Sequence, residues 1–153
     1  MRFWDTSALL PLLVDAPARE WLLALYQEDS QIVAWWAAPV EIASVIARRE
    51  REGAIGADDA DAALKAAKRL ASGWHEVIPS DAILRTAERL LRVHALRAAD
   101  SLQLSAALLA ANHDPATLEI VCFDSRLAAA ARREGFSVIN SVHEPEAKAG
   151  REP

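Results

Sequence analysis

Apolar residues follow two rhythms along this 153-residue chain. Short unbroken apolar runs alternate with longer stretches in which apolar residues return every three or four positions. The first rhythm marks buried strands and the second amphipathic helices. Strands are expected over residues 2–5, 31–35, 74–78, 118–123 and 136–139. Between them, Thr6 or Ser7 caps a helix reaching about Val14. Asp15-Ala16-Pro17 opens a second, whose Trp21, Leu22, Leu25 and Tyr26 share one face. Pro39 starts a third, since proline suits the first helical position, and Gly53 ends it. A fourth covers 57–70, a fifth follows Pro79-Ser80-Asp81 and covers 82–93, a sixth covers 98–111, and a seventh covers 125–134 and closes at Gly135.

Strands alternating with helices of this length predict a parallel sheet with helices on both faces, a three-layer α/β/α fold. The strands are almost wholly apolar, as strands covered on both sides should be. The composition, 52% hydrophobic and 25% charged, suits one globular domain over residues 1–142. Residues 143–153 read as a disordered tail. No basic-then-apolar leader is present, and no apolar run approaches the ~20 residues of a membrane span. A cytoplasmic protein without membrane contact is expected. Cys122 is the only cysteine, so no intrachain disulfide forms, and its apolar neighbours make it a small core residue.

Four acids have telling positions. Asp5 and Asp124 each end an apolar strand at a strand-to-helix corner, hence at one edge of a parallel sheet. Glu41 follows the second strand through a short loop, and Asp100 lies in the first turn of an Ala-rich helix. Singly, each is also a natural helix cap or a first-turn acid favoured by the dipole. If strands one and four are neighbours, strand order reverses between them, and open α/β sheets bind ligands at that point. Converging carboxylates repel one another and are costly to bury, and a hard divalent cation relieves both effects. An all-oxygen set suits Mg²⁺ or Mn²⁺. Such ions lower the pKa of a bound water, align it with a phosphorus and stabilise the leaving oxygen, which is phosphodiester hydrolysis. Thr6, Ser7 and Ser125 are available to hydrogen-bond the acids, or to cap helices.

Four segments carry a family resemblance. They are Phe3-Trp4-Asp5-Thr6-Ser7-Ala8-Leu9, Pro39-Val40-Glu41-Ile42-Ala43-Ser44, Leu96-Arg97-Ala98-Ala99-Asp100-Ser101-Leu102-Gln103-Leu104 and Val121-Cys122-Phe123-Asp124-Ser125-Arg126-Leu127. In order and spacing they resemble the acidic motifs of PIN-domain ribonucleases, most of all the VapC toxins of toxin–antitoxin pairs. The resemblance implies a five-stranded parallel sheet of order 3-2-1-4-5. It implies a Mg²⁺- or Mn²⁺-dependent endoribonuclease acting on structured RNA, usually a homodimer, held inactive by a cognate antitoxin. Asp5, Glu41, Asp100 and Asp124 take the catalytic and metal-binding roles, Asp5 and Asp100 as the firmest ligands and Glu41 orienting the ion or its water. Phe123 departs from the pattern, since many members carry a small hydroxyl residue before the fourth acid.

The net charge of -5 argues against a nucleic-acid partner on bulk terms, although Arg48, Arg49 and Arg51 cluster locally. That cluster suits either phosphate or a solvated helix end. Trp35 and Trp36 precede Glu41, where they suit base stacking, a buried sheet edge or a dimer contact. Asp58, Asp59 and Asp61 read as helix-start acids. His75 and His94 are dispensable to a metal mechanism. An aspartyl phosphatase needs a second acid two residues after the first, where this chain has Ser7. A receiver domain needs a lysine after a late strand, and Lys65, Lys68 and Lys148 are not so placed. The non-enzymatic alternative is a PIN-fold module that binds RNA or protein without turnover.

Overall fold

The structure, a computed structural model, describes residues 1–140. The tail expected over 143–153 lies outside the described residues. Five strands, β1 (Arg2–Trp4), β2 (Ile32–Trp35), β3 (His75–Val77), β4 (Glu119–Val121) and β5 (Val138–Ile139), form one sheet of order β3-β2-β1-β4-β5. All pairings are parallel, with Phe3 opposite Val33 on one side and Ile120 on the other.

Seven helices cover the sheet among the described residues. They are α1 (Thr6–Leu13), α2 (Arg19–Glu28), α3 (Ala38–Arg51), α4 (Ala57–Ala71), α5 (Asp81–Val93), α6 (Ala98–Ala110) and α7 (Ser125–Arg133). Because successive strand side chains point to opposite faces, the strands feed two cores in alternation. Phe3, Val33, Trp35, Ile120 and Cys122 pack with α5, α6 and α7. Trp4, Ile32, Ala34 and Val121 pack with α1, α2, α3 and α4. Each fully buried Leu or Ile in these layers contributes about 1.5–3 kcal/mol.

Several local expectations are corrected. The N-cap of α1 is Asp5, not Thr6 or Ser7, because the Asp5 carboxylate accepts the Ser7 N–H at 3.0 Å. The second helix begins at Arg19, after Asp15-Ala16-Pro17 has turned the chain. β3 is an exposed edge strand, so its His75 and Glu76 meet solvent and the double cover does not extend to it. A short 3-10 turn, Pro115–Thr117, precedes β4, following positive φ at Asn112 and His113. Gly53 and Gly135, at φ of 72° and 101°, end α3 and α7 as expected, in the left-handed conformation that glycine adopts most cheaply. No helix among the described residues is long and apolar enough to cross a membrane.

Candidate active site at the carboxyl edge of the sheet

β1 and β4 are neighbours and run in parallel, so the corners that follow them lie together, where strand order reverses. Ser7 joins the two corners. Its hydroxyl donates to Asp5 Oδ2 and accepts the N–H groups of Phe123 (2.9 Å) and Asp124 (3.3 Å). Asp5 is buried, and Cys122 Sγ lies 3.6 Å from the same Oδ2. Burial above all raises the Asp5 pKa above its usual value. Hydrogen bonds from Ser7 and Cys122 oppose the shift, while the nearby Glu41 charge adds to it. Burial and the Asp5 charge hold the Cys122 thiol far above its ordinary range, so at neutral pH it is a neutral donor rather than a nucleophile.

Glu41, in the first turn of α3, is held by two neutral donors. Thr6 Oγ1 reaches its Oε2 at 2.7 Å and Gln103 Nε2 at 2.9 Å. Gln103 also donates to Thr6 Oγ1 at 3.1 Å, closing a small network. Gln103 is 1% exposed, and its Oε1 is buried without a partner. Asp100 lies three residues earlier on the same helical face. Its Oδ2 accepts the Arg97 N–H at 3.3 Å, as a third-position acid does in a capping box. Asp124 caps α7 through Oδ1, which accepts from Arg126 N (2.9 Å) and Leu127 N (2.8 Å).

The four expected acids therefore divide. Asp5 and Glu41 interact electrostatically, while Asp5, Asp100 and Asp124 are each tied to the start of a different helix, α1, α6 and α7. Among the described residues, no three His, Cys, Asp or Glu side chains are close enough to enclose a metal ion. Mutual repulsion and the pull of free helix N–H groups account for this spread. The donor chemistry nevertheless fits a hard cation. In each acid one carboxylate oxygen takes every hydrogen bond, leaving Asp5 Oδ1, Glu41 Oε1, Asp100 Oδ1 and Asp124 Oδ2 without a partner among the described residues.

Thr6 and Ser7 both bond acids, while Ser125 makes no side-chain hydrogen bond among the described residues and is exposed. Two residues escaped the sequence reading. Gln103 had a signal, a polar residue three positions after Asp100 in an apolar helix. Cys122 had none, because its core character was evident and its contact with Asp5 was not. Phe123 packs its ring at 6.1 Å from Trp21 and uses only its backbone N–H toward the site. His94 is structural. Its Nε2 lies 2.7 Å from Glu134, joining the end of α5 to the end of α7.

No family model matches the sequence, and no curated protein matches it. Solved structures do. A toxin–antitoxin complex from Klebsiella pneumoniae superposes with a TM-score of 0.60 at 16% identity, over 84% of this chain and 91% of that one. The crystal structure of FitAcB from Neisseria gonorrhoeae superposes with a TM-score of 0.64 at 15% identity, over 92% and 97% of the two chains. The chain shares the fold of these two structures. At such identities the likeness is one of fold, and it agrees with the strand order that the acidic motifs implied.

Proposed function

We propose that the chain is a Mg²⁺- or Mn²⁺-dependent endoribonuclease that acts as the toxin of a toxin–antitoxin pair. Asp5, Glu41, Asp100 and Asp124 are its catalytic and metal-binding residues. One observation carries the reading: each acid has one carboxylate oxygen anchored and the other left without a partner among the described residues. The match to a structure described as a toxin–antitoxin complex supports the biological role.

The chain's own residues supply orientation. Ser7 and Cys122 hold Asp5, Thr6 and Gln103 hold Glu41, and backbone N–H groups hold Asp100 and Asp124. Partners of this kind set the direction of a ligand's free oxygen, and their loss costs about 10–100-fold in metal affinity or activity. The bound cation supplies charge to activate water and steady the departing oxygen. Exposed Trp36 and Leu84 border one apolar hollow with Trp35, Pro79 and Ile83, a surface for the antitoxin or a second copy of the chain.

The test is cleavage of total cellular RNA by purified protein with Mg²⁺, with Mn²⁺ and with EDTA, beside Asp5→Asn. Discrete fragments that need metal and vanish in the variant are expected. Cleavage that persists in EDTA or in the variant would overturn the mechanism. Metal binding and RNA binding without turnover would instead favour a non-cutting module.

A further inference from the structure

The acidic balance of the chain conceals a basic groove beside the candidate site. It holds about 130 Å³ and is lined by His94 and Ala95, from the α5–α6 connection, and by Arg126, Ala129, Ala130 and Arg133 of α7. The α7 residues stand at i, i+3, i+4 and i+7, so they form one stripe along the helix. The arginines sit at its ends, two turns or about 10 Å apart. Alanines occupy the middle, where a bulky chain can approach closely. Both arginines are exposed. No carboxylate among the described residues lies within 4.0 Å of either one. Glu134, the nearest acid in sequence to Arg133, is engaged by Arg89 at 2.7 Å and by His94 at 2.7 Å.

Backbone hydrogen bonds tie residues in or beside the groove to two of the acids. Arg126 N–H bonds Asp124, and Arg97 N–H bonds Asp100 two residues after Ala95. The arginine cluster near the end of α3 has no such link. Arg48 and Arg51 are exposed at the far end of the helix whose first turn carries Glu41.

We infer that the α7 groove seats the phosphate backbone of RNA, with Arg126 and Arg133 gripping separate phosphates as the strand runs past the acids. The inference rests on the ribonuclease reading and names the surface that would hold its substrate. A guanidinium fork matches a phosphate in shape as well as charge, and small side chains between two forks leave room for the sugars.

Binding is measured by fluorescence anisotropy of a labelled mixed-sequence single-stranded RNA in EDTA, so that no cutting intervenes. For the Arg126→Ala/Arg133→Ala protein, affinity at low salt should fall about tenfold or more. The slope of log affinity against log salt should shrink by about 1.4, or about 0.7 for each phosphate no longer neutralised. Arg126→Lys/Arg133→Lys should retain the salt slope. Arg48→Ala/Arg51→Ala, equal in charge removed, should match the wild type. Circular dichroism melting checks that each variant is folded.

An unchanged slope in the groove variant, or an equal loss in the α3 variant, overturns the inference. So does wild-type protein that binds no RNA in EDTA. If the two arginines matter only for a polyglutamate probe, the groove takes an acidic polypeptide and the RNA assignment fails. Cleavage with Mg²⁺ separates the two readings. Cutting with an unaltered salt slope removes the groove alone, and groove-dependent binding without cutting removes the ribonuclease.

Discussion

Asp5 is buried and Glu134 half-buried; burial pushes both carboxyl pKa values up, and their partners decide opposite net results. Asp5 accepts from a serine and a cysteine, both neutral, and the charge that bears on it is that of another acid, Glu41. Its pKa rises. Glu134 meets the Arg89 guanidinium through both oxygens, at 3.3 and 2.7 Å, and His94 at 2.7 Å. Its pKa falls, chiefly through the Arg89 hydrogen bonds. Glu134 is a closed pair that fastens α5 to α7. Asp5 is an acid given orientation without counter-charge. A protein that takes up a cation from solution must leave its ligands short of positive charge, so the contrast sets a fastening apart from the proposed cation site.

The strongest way to break the comparison is Asp5→Asn. A metal ligand is worth several kcal/mol of transition-state stabilisation, so RNA cleavage should fall by about 10³-fold or more. Stability should move the other way. At pH 7 burial opposes the charged carboxylate, and asparagine is an equally good cap for α1. Relief of about 1 kcal/mol corresponds to about 2–4 °C in a domain of this size. Mg²⁺ should raise the wild-type Tm and leave that of the variant unmoved. A variant that melts lower, or still responds to Mg²⁺, would remove Asp5 from the site.

Gln103→Leu sharpens the same side. It keeps Thr6 on Glu41 and deletes the second donor, so kcat should fall about tenfold while KM is little changed. A change confined to Tm would make Gln103 merely structural.

Glu134→Gln tests the other side and should cost about 1–2 kcal/mol, at the low end for charged hydrogen bonds because Arg89 is half exposed. The pH dependence has a definite sign. The folded pKa of Glu134 lies below its ordinary value of 4.5, so its contribution is complete above that pH. It is lost as pH falls through the folded value, where Glu134 takes up a proton. Denaturation curves of wild type and variant should differ by a constant amount near neutrality and converge in acid. Cleavage per folded molecule should stay unchanged, and a drop would show that the fastening also shapes the site.

Much of this contrast was legible in the sequence on one side and hardly any on the other. Asp5, Glu41, Asp100 and Asp124 announced themselves because strand ends and helix starts are visible as breaks in apolar rhythm. The alternation of elements gave the sheet and its layers. Strand order came from the resemblance, since pairing of β1 with β4 spans more than a hundred residues and leaves no local trace. β3 misled for a physical reason: the flanking Trp74 and Ile78 made a polar edge strand look apolar. The Glu134 pair was invisible because Arg89 and His94 approach it from 45 and 40 residues away. Periodicity reports which face is buried, and it does not report which polar groups meet across that face.

Cys122 gives the smallest expected effect and the finest test of the Asp5 environment. Its thiol is a weak donor held in the protonated state, 3.6 Å from Asp5 Oδ2. Cys122→Ala removes the donor, so the Asp5 pKa should rise further. Mg²⁺ binds only the ionised carboxylate. Apparent Mg²⁺ affinity, read by titration calorimetry, should therefore weaken about twofold at mildly acidic pH and recover at alkaline pH, on the scale of one weak hydrogen bond. Cys122→Ser installs a stronger donor in nearly the same space and should shift affinity the opposite way. Equal shifts in both variants would mean that packing, rather than the hydrogen bond, couples this residue to Asp5.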